Sequence, residues 1–295
     1  MPWSRLLLAG LAAGVLLTAC ANKIDGEPGA AGLDDPYFAE LGNGGYDVDR
    51  YDIAVRYHPR LPEIEATTTI EATATADLSS FNFDLIGLTV DSVTVDDKEA
   101  EISRTETELT VTPDDAIAQG DTFTVAIEYH GEPTTGDLES TPIENGWIRL
   151  DSGATYVLAE PDGARTWFPN NDHPSDKATY TFHIAVPDGV EVAANGRLES
   201  DTLGDDGYRT WHWEMDEPMA TYLATVAIGD YEIQHTASPN GVTIRNFFLS
   251  AEYDQAVSDF AVTGEMIDFF SSIFGPYPFD EYGAVTVPIL LRSAL

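Results

Sequence analysis

From Tyr46 the chain alternates apolar and polar positions with a period of two. Tyr51, Ile53, Val55 and Tyr57 are separated by Asp52, Ala54 and Arg56, the pattern of a strand with one buried face. The alternation returns in the Thr-rich stretch 63–76 and at Phe123, Val125, Ile127 and Tyr129. Further strands are predicted over 180–186, 190–198, 208–215 and 222–233. Turn-forming pairs such as Asp96-Asp97, Pro113-Asp114, Gly120-Asp121, Asp188-Gly189 and Asp206-Gly207 stand between the runs. Strands this frequent, with hardly a helical pattern before residue 250, predict a mainly β chain whose residues 45–235 form an all-β sandwich.

The period then changes. Val257, Phe260, Ala261, Gly264, Ile267, Phe270 and Phe274 recur at spacings of three and four, which predicts one amphipathic helix over about 252–274. Acidic Glu252 and Asp254 suit the positive end of its dipole, and Gly275-Pro276 stops it. The apolar stretch 284–291 predicts one more strand. A single helix and strand cannot enclose a core, so residues 236–295 are expected to be the truncated start of a second domain.

The first residues read as an address. Arg5 precedes the apolar run Leu6 to Leu17, which has signal-peptide length and is too short for a good membrane span. It ends in Leu17-Thr18-Ala19-Cys20, which resembles a bacterial lipobox, and Cys20 is the only cysteine in the chain. Residues 1–19 are therefore expected to be a lipoprotein signal peptide and Cys20 the lipidation site. The expected location is extracytoplasmic, lipid-anchored to the bacterial cell membrane. Acylation would leave no thiol for a disulfide or a thiolate metal site. The polar, Gly-rich residues 20–44 are predicted to be a flexible tether.

Charge narrows the partners. Asp plus Glu number 51 against 14 Lys plus Arg, a formal net charge of −37. Such a surface repels nucleic acid and gives no electrostatic attraction to anionic lipid. Two readings of the acidity stay open: a surface adapted to high salt, where screening relieves self-repulsion, and ordinary acidic solubility. Catalytic motifs are missing from the sequence. None of His58, His130, His173, His183, His212 and His235 is followed by Glu, and no two stand at the i, i+4 spacing, so there is no His-Glu-x-x-His zinc helix. There is no Gly-x-Ser-x-Gly elbow and no phosphate-binding glycine loop. Acidic pairs such as Asp34-Asp35, Asp114-Asp115 and Asp205-Asp206 read as solvated turns rather than Ca²⁺ sites. From the residues alone, no catalytic residue and no metal ligand set is expected within the chain.

One block carries more. The stretch from Glu160-Pro161-Asp162-Gly163-Ala164-Arg165-Thr166-Trp167-Phe168-Pro169 through Asn170-Asn171-Asp172-His173-Pro174 to Lys177-Ala178-Thr179-Tyr180 resembles the signature block of the M1 (gluzincin) aminopeptidases. Ala193-Asn195-Gly196, Met219 to Leu223 running into Val226 to Tyr231, and Phe274-Gly275-Pro276-Tyr277-Pro278-Phe279 are similar to the family in the same order. Two departures stand out. Asn170 replaces a residue that is often Cys in the family, and the sequence stops where the exopeptidase loop would begin.

The resemblance implies a saddle-like β-domain followed by the first elements of an incomplete α+β thermolysin-like domain. It implies the N-terminal portion of an M1-type zinc metallo-aminopeptidase that acts on peptide substrates with a free N-terminus. The zinc ligands of the complete enzyme would lie beyond residue 295, so this chain alone would bind no cofactor and be inactive. It also implies that Glu160, five residues before Arg165, receives the substrate's N-terminal amine. The other block residues read as structural. Pro169 and Pro174 bracket a turn in which Asp172 accepts backbone N–H bonds. Gly163 permits a backbone angle or a close approach that a Cβ would forbid. Arg165 is a partly buried guanidinium paired with a carboxylate, and Lys177 leads into the next strand. Two alternatives remain: a non-catalytic M1-like sandwich acting as a binding or scaffold lipoprotein, and a carbohydrate-binding sandwich using Trp211 and Trp213, whose shared strand face reads more readily as core.

Overall fold

A computed structural model describes residues 24–136 and 145–287; the predicted signal peptide over 1–19 and the lipidation site expected at Cys20 lie outside the described residues. The period-two segments assemble into an eight-stranded sheet. Its order is Arg197–Leu203, Tyr208–Ala220, Lys177–Pro187, Tyr46–Tyr57, Ile64–Ala74, Thr122–Gly131, Thr89–Val95 and Lys98–Glu99. Lys177–Pro187 runs parallel to Tyr46–Tyr57, and the other pairings are antiparallel. Register puts Tyr51 beside Ile70 and Tyr180, and Ile53 beside Phe182. All five side chains are fully or almost fully buried.

Two smaller sheets share that core. One has the order Thr135–Gly136, Asn145–Arg149, Thr155–Leu158, Val226–Gly229 and Glu191–Ala194; the other has Glu27–Pro28, Leu78–Asp84, Glu108–Thr112 and Glu101–Arg104. Phe81, Phe83, Leu109 and Val111 from one, and Trp147, Val157, Val192 and Ile228 from the other, join the large sheet's inner face in one contiguous cluster. Trp211 and Trp213 belong to it as well, so they form no exposed sugar platform. Burial of this many large side chains is the main stabilising contribution, at about 1.5–3 kcal/mol each.

Some expected strands divide. The predicted strand 190–198 becomes Glu191–Ala194 in the five-stranded sheet and Arg197–Leu203 in the large one. Gly196 makes the corner at φ +85°, where a Cβ would lie 1.9 Å from the Glu214 carbonyl oxygen; only glycine fits there. The stretch 222–233 likewise divides into a 3-10 turn at Thr221–Leu223, then Val226–Gly229 and Tyr231–Ala237. Tyr231–Ala237 pairs with Thr243–Leu249, and Glu281–Tyr282 joins them in a separate three-stranded sheet. That hairpin crosses position 235/236, where the sequence predicts a division between domains.

The predicted tether is different in kind. Its described part, 24–44, is docked: Glu27–Pro28 adds a parallel strand to Leu78–Asp84, and Leu41 and Asn43 are buried. Its glycines serve close approach rather than slack. A Cβ on Gly26 would lie 2.4 Å from the Leu78 carbonyl carbon.

The single predicted helix is two, α1 (Tyr253–Asp259) and α2 (Thr263–Phe274). Phe260 at the break packs on Phe248, with ring centroids 5.2 Å apart. Only part of the expected stripe is covered. Ile267 is buried, whereas Met266, Phe269, Phe270, Ile273 and Phe274 are exposed. The segment after the helix pairs through Glu281–Tyr282 and a bridge between Phe247 and Val285; residues 288–291 of the predicted strand lie outside the described residues.

Candidate functional site

The block 160–180 begins where a core strand, Thr155–Leu158, runs out. Glu160 follows, exposed, and is joined to Pro161 by a cis peptide bond. The chain then tightens: Gly163 N–H donates to the Ala159 carbonyl at 2.7 Å, and Ala164–Thr166 form a 3-10 turn. A Cβ on Gly163 would stand 2.6 Å from the Gly146 nitrogen, while its φ of −80° is open to any residue. Gly163 is therefore required by close approach and not by backbone angle.

Arg165 Nη2 lies 2.5 Å from Asp162 Oδ2, and both side chains are largely buried. Asn145 Nδ2 donates to the other Asp162 oxygen at 3.3 Å. A charge-assisted pair of this kind fixes the turn's geometry. Trp167 and Phe168 are fully buried, edge to face with centroids 4.6 Å apart, and they anchor the block in the core.

Beyond Pro169 the polar groups interlock. Asn170 and Asp84 exchange backbone hydrogen bonds at 2.8 and 3.2 Å. Asn171 receives Asn43 N–H on its Oδ1 at 2.6 Å and donates from Nδ2 to Asp176 at 2.5 Å. Asp172 was expected to satisfy the turn between Pro169 and Pro174. Instead, its Oδ2 accepts Arg165 N–H at 3.3 Å and its Oδ1 accepts the Thr221 hydroxyl at 2.6 Å. It ties the 3-10 turn to a strand end from another part of the chain. The bracketed turn is closed by its own backbone, through His173 N–H to Asn171 O and Asp176 N–H to His173 O.

Four carboxyls in and around this knot are pushed up to about 7. Burial is the main cause for each: Asp84, helped by Glu108; Asp172, helped by Asp84; Asp176, helped by Asp47; and Glu108, opposed by Arg165 and Arg104. Withdrawal from water disfavours the charged form. The structure thus gathers Gly163, Arg165, Pro169 and Asp172 into a buried frame and leaves Glu160, Pro174 and Lys177 exposed at its rim. A cleft of about 690 Å³ lies elsewhere, between strand Tyr208–Ala220 and residues 279–285, and Glu160 does not line it.

Residues 48–223 match the family described as the Peptidase M1 N-terminal domain. The chain belongs to the M1 peptidase family through this domain. An M1 zinc metallopeptidase from Deinococcus radiodurans, solved as a mutant bound to a Tyr-Ser-Ala substrate, superposes with a TM-score of 0.80 at 28% identity, covering 88% of this chain and 60% of that one. Glutamyl aminopeptidase of Bitis rhinoceros is 27% identical over 161 residues, 54% of this chain and 16% of its own length. Aminopeptidase B of Mus musculus is 30% identical over 127 residues, 42% of this chain and 18% of its own. The chain thus matches only a small share of the curated relatives.

The family's metal finds no ligand set here. Among the described residues no three His, Cys, Asp or Glu side chains are gathered to hold an ion, and the sequence has no His-Glu-x-x-His. Several members of the M1 domain's polar frame are invisible to sequence reasoning: Asn43, Asp84 and Glu108. In Phe81-Asn82-Phe83-Asp84 all four residues are buried, because this strand is covered on both faces. A period-two reading would send Asn82 and Asp84 to solvent. The short polar side chains facing no aqueous side give no pattern to find.

Proposed function

We propose that this chain is the β-domain and catalytic-domain opening of a zinc metallo-aminopeptidase, with Glu160 receiving the free amine of a peptide substrate. The observation that carries the reading is Glu160 itself. Its carboxylate is exposed at the end of a core strand, and the residues that follow are locked by the Arg165–Asp162 pair and the Gly163–Gly146 contact. A carboxylate on such a rigid mount can bond an ammonium group, and in a partly dry cleft that bond favours the cation strongly. Recognition of a terminal ammonium is what separates an aminopeptidase from an endopeptidase. In this reading the zinc and the hydrolytic step depend on ligands beyond residue 295, and the 295 residues alone hydrolyse no aminoacyl substrate.

The test is a full-length enzyme carrying Glu160→Ala. We expect KM for a free-amine substrate to rise about tenfold or more, in line with the loss of one charge-assisted hydrogen bond, with folding and zinc content intact. A substrate lacking the α-amine should lose much less. Unchanged kinetics on the free-amine substrate would return Glu160 to the many solvated acids.

From the lipobox-like Leu17-Thr18-Ala19-Cys20 after an apolar run, we also propose that the protein is a lipoprotein. The mature chain begins at acylated Cys20 and is held outside the cytoplasmic membrane. Wild type should partition into detergent and Cys20→Ser into the aqueous phase; equal partitioning of the two would exclude the anchor.

A further inference from the structure

The face of the eight-stranded sheet turned away from the core carries two imidazoles with no place in the site above. His183 and His212 stand opposite each other in register on antiparallel strands. Their ring centroids are 4.5 Å apart and the planes are inclined by 31°. Each side chain is about a third exposed, at 34% and 30%. Nε2 of His212 lies 3.1 Å from Glu214 Oε1, and Nε2 of His183 faces Asp52 Oδ1 at 3.6 Å. The nearby cation is Arg50, held by Glu214 at 3.4 Å and by the Thr181 hydroxyl. Both Nδ1 atoms are left without a protein hydrogen bond among the described residues.

A carboxylate against Nε2 favours the proton on that nitrogen and leaves the lone pair on Nδ1. That is the outer shell by which proteins prepare an imidazole for a metal. Both rings have it. A chelate needs its two nitrogens about 3 Å apart, given metal–nitrogen bonds of about 2.0–2.1 Å. Side chains opposite each other on paired strands reach that spacing by rotation about their own bonds. Imidazole nitrogen suits copper, nickel and zinc, whereas calcium and magnesium prefer oxygen. Access is open, since His183 borders a trough of about 660 Å³ across the sheet, lined also by Arg56, His58, Glu65, Glu128 and His130. The charge of −37 draws cations toward the surface. Arg50 opposes them locally, and its pairing with Glu214 offsets part of that repulsion.

We propose that His183 and His212 form a two-imidazole site for a late first-row divalent cation, with water completing the coordination shell. No motif announces the pair, because 29 positions separate the two histidines in the sequence and only strand register joins them.

The test is calorimetric titration of the 295-residue chain with Ni²⁺ and with Cu²⁺, together with electron paramagnetic resonance of the Cu²⁺ form. We expect one ion per chain, Cu²⁺ held more tightly than Ni²⁺, and couplings from two imidazole nitrogens. His183→Asn and His212→Asn should each lower affinity about tenfold or more, and Asp52→Asn about tenfold through the outer shell. His58→Asn, on the border of the same trough, should change nothing. Thermal unfolding without metal checks that each variant folds, and the copper spectrum of the unsubstituted chain decides the question even where one does not. Affinity unchanged in both histidine variants, or a spectrum with fewer than two imidazole nitrogens, would overturn the proposal.

Discussion

The inner face of the large sheet and the apolar face of α2 are both rich in aromatics, yet they have opposite fates. Phe182 is fully buried against Tyr180, with centroids 5.8 Å apart, while Phe270 and Phe274 stack on each other at 6.2 Å and remain 48% and 80% exposed. A strand face is covered only if a second layer lies over it. For the sheet, two smaller sheets supply that layer; for α2, nothing among the described residues covers Met266, Phe269, Phe270, Ile273 and Phe274. Apolar periodicity therefore reports which face seeks cover, and burial depends on what arrives to give it.

The sharpest way to break this comparison is a matched pair of truncations. Phe182→Ala should destabilise the fold by about 3–5 kcal/mol, whereas Phe270→Ala should stay within about 0.5 kcal/mol, as for an exposed position. Urea unfolding followed by tryptophan fluorescence measures both, and a large loss for Phe270→Ala would show that the helix face is covered after all.

A second, smaller effect tests close packing at the frame. Gly163→Ala places a methyl 2.6 Å from the Gly146 nitrogen and should cost about 1–3 kcal/mol through backbone shifts. Gly189→Ala is a counterpart: nothing lies within 4 Å of its Cβ, but its φ is +86°, so only backbone strain of about 1 kcal/mol remains. Equal losses at the two positions would mean that space is not the constraint at Gly163.

The last test reads the direction of the pH dependence. Asp84, Glu108, Asp172 and Asp176 hold their protons to about pH 7 when folded, but only to about 4 when unfolded. Between those limits the folded chain binds more protons, so stability falls as pH rises from about 4 toward 7, and the loss is complete above it. Self-repulsion at −37 acts in the same direction. The melting temperature should be higher at pH 5.5 than at pH 8.5, and Asp84→Asn should reduce the difference. A melting temperature that rises over this range would count against buried protonated acids.

Legibility in the sequence followed the same division as burial. Strands with one wet face, such as Thr122–Gly131 and the Tyr51–Tyr57 part of Tyr46–Tyr57, alternate cleanly and are readable. Corners were harder. Gly196 sends the chain from one sheet to another, yet as a residue it is only one of 24 glycines. The break between α1 and α2 was hidden because Phe260 keeps the apolar spacing while packing on Phe248 from a turn. Arg165 pairs with a carboxylate three positions away, at Asp162. Asp172 found its partners at Arg165 and Thr221, the second of them 49 positions on, a separation that no local rule spans.

The docked segment 24–44 sets a leash length. Backbone pairing begins at Glu27, whose N–H donates to Asp77 O at 3.0 Å, and Gly26 already touches Leu78. If the lipid sits on Cys20, five residues, 21 to 25, join it to the folded body. Fully extended they reach about 17 Å, roughly two Debye lengths at physiological salt. The chain from Cys20 onward lacks Arg5 and so carries 51 acidic against 13 basic side chains, a net charge of −38, and it would be moored within about two Debye lengths of a bilayer whose anionic lipids repel it. It would stand off with its least acidic side toward the lipid, and salt would govern how closely it settles.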